Sequence, residues 1–257
     1  MNAGGGVVRD SAAVAEQRTG NDSIAVRSVL DATVGCEAFT LRTLRAVRGR
    51  SFERATGASE ELLFVTAGAG ELICGSEHIE LDPQTGVLIE PGARYELDNA
   101  SATDLELVSV SLHDPLARPD GTGRRPLVSR LADRPALPAT ADRTFRIVFD
   151  AEHGCATATQ FVGEIPVGAA PRHYHLYEEV IYVLEGHGVM HTNDAHTPLG
   201  PATTIHLPSR RVHTLENSGP GVMRVLGVFR PAGSPAEAFY PDGTPAYSAD
   251  EQQAASR

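Results

Sequence analysis

The chain has 257 residues, 41% of them apolar and 5% aromatic, and carries a formal net charge of −11. All 22 basic residues are arginine, which excludes Schiff-base chemistry and a lysine-bound pyridoxal phosphate, and so acidic a balance argues against nucleic acid as the main partner. No apolar run approaches the roughly 18 residues of a membrane span, and neither a Gly-rich phosphate loop ending in Lys nor a Gly-x-Ser-x-Gly elbow is present.

Residues 1–22 are rich in Gly, Ala and polar side chains and lack a basic start followed by an apolar stretch. They are expected to form a disordered tail on a cytoplasmic protein. Cys36, Cys74 and Cys155 are odd in number and scattered, as structural thiols in a reducing compartment would be. From residue 23 to 115 short apolar runs alternate with turn residues, as in Glu61–Thr66, Glu71–Cys74, Gly86–Glu90 and Glu106–Leu112. Such spacing predicts an all-β, antiparallel sandwich or barrel. Residues 116–142, rich in Pro, Arg, Asp and Gly, read as a linker. The strand pattern resumes over 143–240, and the only helix start of note is Ser234 as N-cap with Pro235 in the first turn. Residues 241–257 read as a polar C-terminal tail.

The chain repeats itself once, at an offset of about 118 residues. Glu61, followed by Gly68, matches Glu179, followed by Gly186; Pro91–Asn99 loosely matches Pro208–Asn217; Leu105–Leu112 matches Val222–Phe229. A period this long implies two similar domains rather than a solenoid.

Seven of the ten histidines lie between His173 and His213. Side chains alternate faces along an extended chain, so His173, His175 and Glu179 share a face and Glu178 points away. His213 must come from another strand. Imidazoles with one carboxylate suit a divalent transition metal. By the repeat offset, His173 and His175 correspond to Ala55 and Gly57, Glu179 to Glu61, and His213 to Tyr95 or Glu96. The first half therefore lacks imidazoles, and reads as structural or as the holder of an organic ligand.

These residues resemble the cupin family. Its first motif, His-x-His with Glu and then Gly, stands here as His173, His175, Glu179 and Gly186; its second stands as Gly200, Pro208, His213 and Asn217. Two positions depart: Gly168 sits one residue too close to His173, and Arg210 replaces the glycine after Pro208. The resemblance covers residues 145–230 well and 38–115 only through the repeat. It implies two double-stranded β-helix (jelly-roll) barrels in tandem, a bicupin, with one divalent ion in the C-terminal barrel. Fe(II) is favoured, and Mn, Ni, Co, Cu or Zn are open. It further implies a homodimer and a small-molecule substrate. The leading functional expectation is an oxygenase (dioxygenase) with a 3-His/1-Glu centre, Glu179 doubling as base. The alternatives are a non-redox isomerase, cyclase, lyase or hydrolase, and a non-catalytic small-molecule binder.

Around this quartet, Tyr177 has the ligands' parity and is a candidate proton donor, weighed against packing at the barrel mouth. His206 and His191 are candidates for the cavity wall, and Gln160, on the strand Thr157–Val162, for a substrate hydrogen bond. His187 and His196, beside turn signals, are expected to face solvent. Arg210 and Arg211 read as a solvated turn that would attract an anion.

Overall fold

A computed structural model describes residues 6–113, 125–139, 142–193 and 195–246. The chain divides into two compact units: Ser11–Asp133, and Met1–Asp10 together with Arg134–Arg257. Among the described residues the regular structure is antiparallel strand with three single 3-10 turns. No helix is long and apolar enough to cross a membrane.

The C-terminal unit is built on a seven-stranded sheet. Its strands run in the order Val7–Asp10, Thr203–Leu207, Glu178–Glu185, Met223–Arg230, Thr159–Ile165, Thr144–Phe149, Leu137–Pro138. A smaller sheet follows the order Gly168–Ala169, His213–Asn217, Gly188–Thr192, His196–Leu199. Period-two alternation puts Ile181, Val183, Ile205, Leu207 and Val225 of the large sheet in one buried cluster with Met190 and Leu215 of the small one. Each such side chain contributes roughly 1.5–3 kcal/mol on burial. Gly188 is wedged between the paired strand of its own sheet and Met223 of the large one, so a side chain there has no room. A Cβ there would lie 2.1 Å from the Glu216 carbonyl oxygen on the paired strand. Gly188→Ala is expected to destabilise the unit by about 3 kcal/mol or more, read as a lower midpoint in thermal unfolding followed by circular dichroism. An unchanged midpoint would contradict this packing.

The N-terminal unit repeats the plan. Its seven-stranded sheet runs Leu127–Arg130, Thr85–Ile89, Glu60–Ala67, Leu105–Leu112, Phe39–Ala46, Ile24–Leu30, Gln17–Arg18. The second sheet holds Gly49–Arg50, Arg94–Asn99, Gly70–Cys74 and Glu77–Leu81. A buried cluster including Leu63, Val65, Leu72, Val87, Leu97 and Leu107 fills it. The 118-residue offset survives in detail. Asn99 donates to the carbonyls of Ala46 and Thr103 and accepts from Ser101 N–H. Asn217 donates to those of Ile165 and Gly221 and accepts from Gly219 N–H. Both amides are buried and tie a strand end to the loop after it.

Three boundary expectations need correction. Residues 1–22 are not a tail throughout: Val7–Asp10 pairs with Thr203–His206, Ser11–Ala13 forms a 3-10 turn, and Gln17–Arg18 pairs with Ala25–Val26. Val7–Asp10 is a short edge strand, held by its pairing with Thr203–His206 and by Val8 packed against the buried cluster of the unit. The segment 116–142 likewise contributes Leu127–Arg130, paired with Thr85–Leu88, and Leu137–Pro138, paired with Thr144 and Phe145; residues 114–124 and 140–141 lie outside the described part. Of the segment 241–257, Gly243, Thr244 and Ala246 are bonded back to Tyr240 and Ala238, and residues 247–257 lie outside the described part. The helix expected at Ser234 is a single capped turn. Ala236 N–H donates to the Ser234 hydroxyl, Ser234 N–H to the Glu237 carboxylate, and Glu237 N–H to the Ser234 carbonyl. The chain then returns to an extended bridge with Tyr174 at Phe239.

Candidate metal centre

His173 and His213 face each other across an antiparallel bridge, each N–H donating to the other's carbonyl at 3.0 and 2.9 Å. His175 lies two residues on, its carbonyl accepting from Arg210 N–H at 2.8 Å. This places the three rings together, with centroids 4.7–5.8 Å apart and one nitrogen from each within 4.8 Å of the others. Arg210 holds the left-handed conformation, φ 63°, that a glycine adopts without strain. The residue that departs from the motif thus keeps its turn, with the guanidinium 5.9 Å over the Tyr174 ring.

Each imidazole is locked by a backbone carbonyl. Nδ1 of His173 bonds the Pro171 carbonyl at 3.0 Å, that of His175 the Glu237 carbonyl at 2.8 Å, and that of His213 the Arg211 carbonyl at 2.8 Å. A carbonyl only accepts, so Nδ1 carries the proton in all three rings and Nε2 keeps its lone pair. Three bare lone pairs converging in a buried pocket are the state that a metal site needs before the ion arrives. Burial reinforces it: desolvation lowers His175 to about 3, lowers His213 well below the ordinary imidazole value and lowers His173, the neighbouring rings adding to the effect at His175 and His213. The donor set fits a borderline divalent ion.

Glu179 stands in the wall of the same cavity and is 4% exposed. Its carboxylate is not part of the mutually close group that the histidines form. Burial pushes this acid up to about 8, so without a nearby cation it holds a proton at neutral pH. The cavity is small, about 80 Å³, with Phe145, Phe161 and Phe229 on one side and Arg143 at the wall. Phe161 and Phe229 lie 4.8 Å apart, and Phe229 packs 5.3 Å from His175. An apolar wall excludes water and strengthens charge interactions inside.

Of the other candidates, the structure draws none into that wall. Tyr177 stacks on His175 at 5.1 Å and donates its hydroxyl to the carbonyls of Ser234 and Glu237. The Glu237 carbonyl also receives Nδ1–H of His175, so the Tyr177 hydroxyl is engaged with the same carbonyl that orients that ring. His206 bonds Glu178 at 2.7 Å. Glu178 and Glu179 are adjacent on one strand and so point to opposite faces, which puts His206 on the face away from the histidine cluster. Gln160 is fully buried but out of the wall; its neighbours Phe161 and Gly163 line the cavity, and alternation turns Gln160 the other way. His191 bonds Glu216 and His196, each at 2.6 Å, on the small sheet. Arg143, Phe161, Phe229 and the three orienting carbonyls were not anticipated. Phe161 and Phe229 lie on strands, but nothing in the sequence marked them as cavity wall.

Residues 161–229 match the family model for the Cupin domain. No curated protein sequence matches the chain. Among solved structures, a protein of Pseudomonas aeruginosa described as glyoxylate-induced aligns with a TM-score of 0.72 at 20% identity over 87% of this chain and 88% of that one. Protein YlbA of E. coli aligns at 0.74 and 11% identity over 88% and 91%. Oxalate decarboxylase of Bacillus subtilis aligns at 0.69 and 12% identity over 87% and 76%. The fold is that of a cupin. The cupin match spans the strand pairs that carry His173, His175 and His213, so fold and motif point to the same side chains.

Proposed function

We propose that this cupin is a metal-dependent enzyme acting on a small organic molecule, with His173, His175 and His213 holding one divalent ion. The observation that carries the reading is the triple lock of Nδ1 on backbone carbonyls, which leaves three Nε2 lone pairs facing one another. Three imidazoles leave open positions on an ion of coordination number five or six. Glu179 fills one of them or stays free beside it. An ion held there supplies Lewis acidity and, if redox-active, a route for electrons between substrate and dioxygen. Fe(II) is the favoured ion, and the leading reaction class is oxygenation. Both units are proposed to be cupin barrels, with only the C-terminal one binding metal, in a homodimer.

A non-redox reading has its own support. Glu179 is buried in the cavity wall and retains a proton near neutrality, as a general acid–base group should. Arg143 at the wall suits a substrate bearing a carboxylate, and the structural neighbours include an oxalate decarboxylase. Oxygen uptake separates the two. With protein loaded with Fe(II) or Mn(II) and a panel of small enolic and carboxylic compounds, oxygenation requires turnover to stop under strict anaerobiosis. Undiminished anaerobic turnover would replace it by the acid–base reaction.

A further inference from the structure

The N-terminal unit holds a polar cavity of about 460 Å³ lined by Arg42, Arg54, Glu61, Tyr95, Ser111 and His113, among others. Its position in the repeat is that of the metal site. Tyr95 faces Arg54 across an antiparallel pairing, as His213 faces His173. Glu61 lies on the central strand Glu60–Ala67 as Glu179 lies on Glu178–Glu185. The imidazole pair of one unit is thus an arginine–tyrosine pair in the other. A guanidinium supplies a fixed positive charge where a metal ion would otherwise supply it.

The carboxylates near this cavity already have donors. Glu61 accepts from the Tyr95 hydroxyl at 3.0 Å and the Ser109 hydroxyl at 2.5 Å. Asp22 accepts from the N–H groups of Ile24 and Phe52, and Glu53 pairs with Arg94. The arginines are less satisfied. Arg42 donates to the Ser111 hydroxyl at 3.0 Å, and Arg54 stands beside the Tyr95 hydroxyl with its Nε buried and lacking a hydrogen-bond partner. Among the described residues neither guanidinium is in an ion pair. Two guanidinium groups with donors to spare in a cavity of this size match the planar, bidentate geometry of a carboxylate.

We propose that this cavity binds a small organic carboxylate, held by Arg42 and Arg54, at the place equivalent to the metal centre of the other unit. The site does not depend on the C-terminal metal. The test is titration calorimetry at low salt on full-length protein freed of metal by dialysis, with oxalate, malonate, succinate and inorganic phosphate as probes. At least one carboxylate is expected to bind one-to-one. Arg54→Met and Arg42→Met each weaken it by about tenfold or more, while Arg54→Lys retains part of the affinity and shows that the fold tolerates the position. His213→Ala and Arg143→Met leave it unchanged. Four results overturn the proposal: no carboxylate binding below about 10 mM, binding of phosphate alone, wild-type affinity retained in both methionine variants, or binding lost in Arg143→Met instead.

Discussion

Replacing His175 by alanine is expected to strip the protein of its metal. The ring contributes one of three converging Nε2 lone pairs, and the Glu237 carbonyl holds it in the ligating tautomer. Removing an outer-shell partner of a ligand already costs 10–100-fold in affinity, so losing the ligand itself is expected to cost more than about 100-fold. Metal per chain, measured by mass spectrometry after dialysis, should fall from about one to below about a tenth, with activity lost alongside it. His206→Ala is the informative companion. His206 is as buried as the ligands, but its partner is Glu178 on the other face, so this variant should keep its metal. Tyr177→Phe should fall between them, because it loosens the carbonyl that orients His175 without removing a ligand. Equal metal content in wild type and His175→Ala would refute the ligand assignment.

The second large effect is on the stability of the metal-free protein, which should be greatest near pH 6.5 and fall on both sides. Burial holds His175 at about 3 and His213 well below the ordinary 6.5. Below pH 6.5 the unfolded chain protonates these imidazoles and the folded chain does not, so each costs about 1.4 kcal/mol per pH unit. Glu179 acts in the opposite sense. Its folded value of about 8 lies above the ordinary 4.5. Its contribution is therefore complete below pH 4.5 and is lost as pH rises through 8. Between 6.5 and 8 only this loss operates, amounting to about 2 kcal/mol. Between 4.5 and 6.5 the lowered imidazoles, His173 adding to the other two, outweigh one carboxyl, leaving a net loss of at least about 1.4 kcal/mol per unit. Urea unfolding across this range measures the profile. Glu179→Gln should flatten the alkaline arm alone, and His175→Ala should make the acid arm shallower. A profile rising steadily to pH 8 would contradict the burial of Glu179 in its protonated form.

The convergence of the three histidines was legible because their pattern is local. His173 and His175 share a face by alternation, and the second motif brings His213 to them across one bridge. Their outer partners were not legible, because the carbonyls of Pro171, Arg211 and Glu237 have no side-chain signature. Gln160 and His206 show the limit of period-two reasoning. It tells which residues on a strand share a face, but which face meets the cavity depends on pairing with distant strands. Gln160 misses the wall by one residue, beside Phe161. The strand Val7–Asp10 was invisible for a related reason, since its partners at Thr203–His206 lie almost 200 residues away. In the first half, the sequence offset placed Ala55 and Gly57 at the positions of His173 and His175. The arrival of Arg54 opposite Tyr95 needed the register.

The central claim is that three Nε2 atoms meet on one ion. Crystals grown with Mn(II) or Co(II), measured on either side of the metal's absorption edge, test it directly. The predicted result is one anomalous peak per chain about 2.1 Å from Nε2 of His173, His175 and His213, inside the cavity that Glu179 lines. A well-ordered structure with no peak there, or with the ion on other side chains, would contradict it.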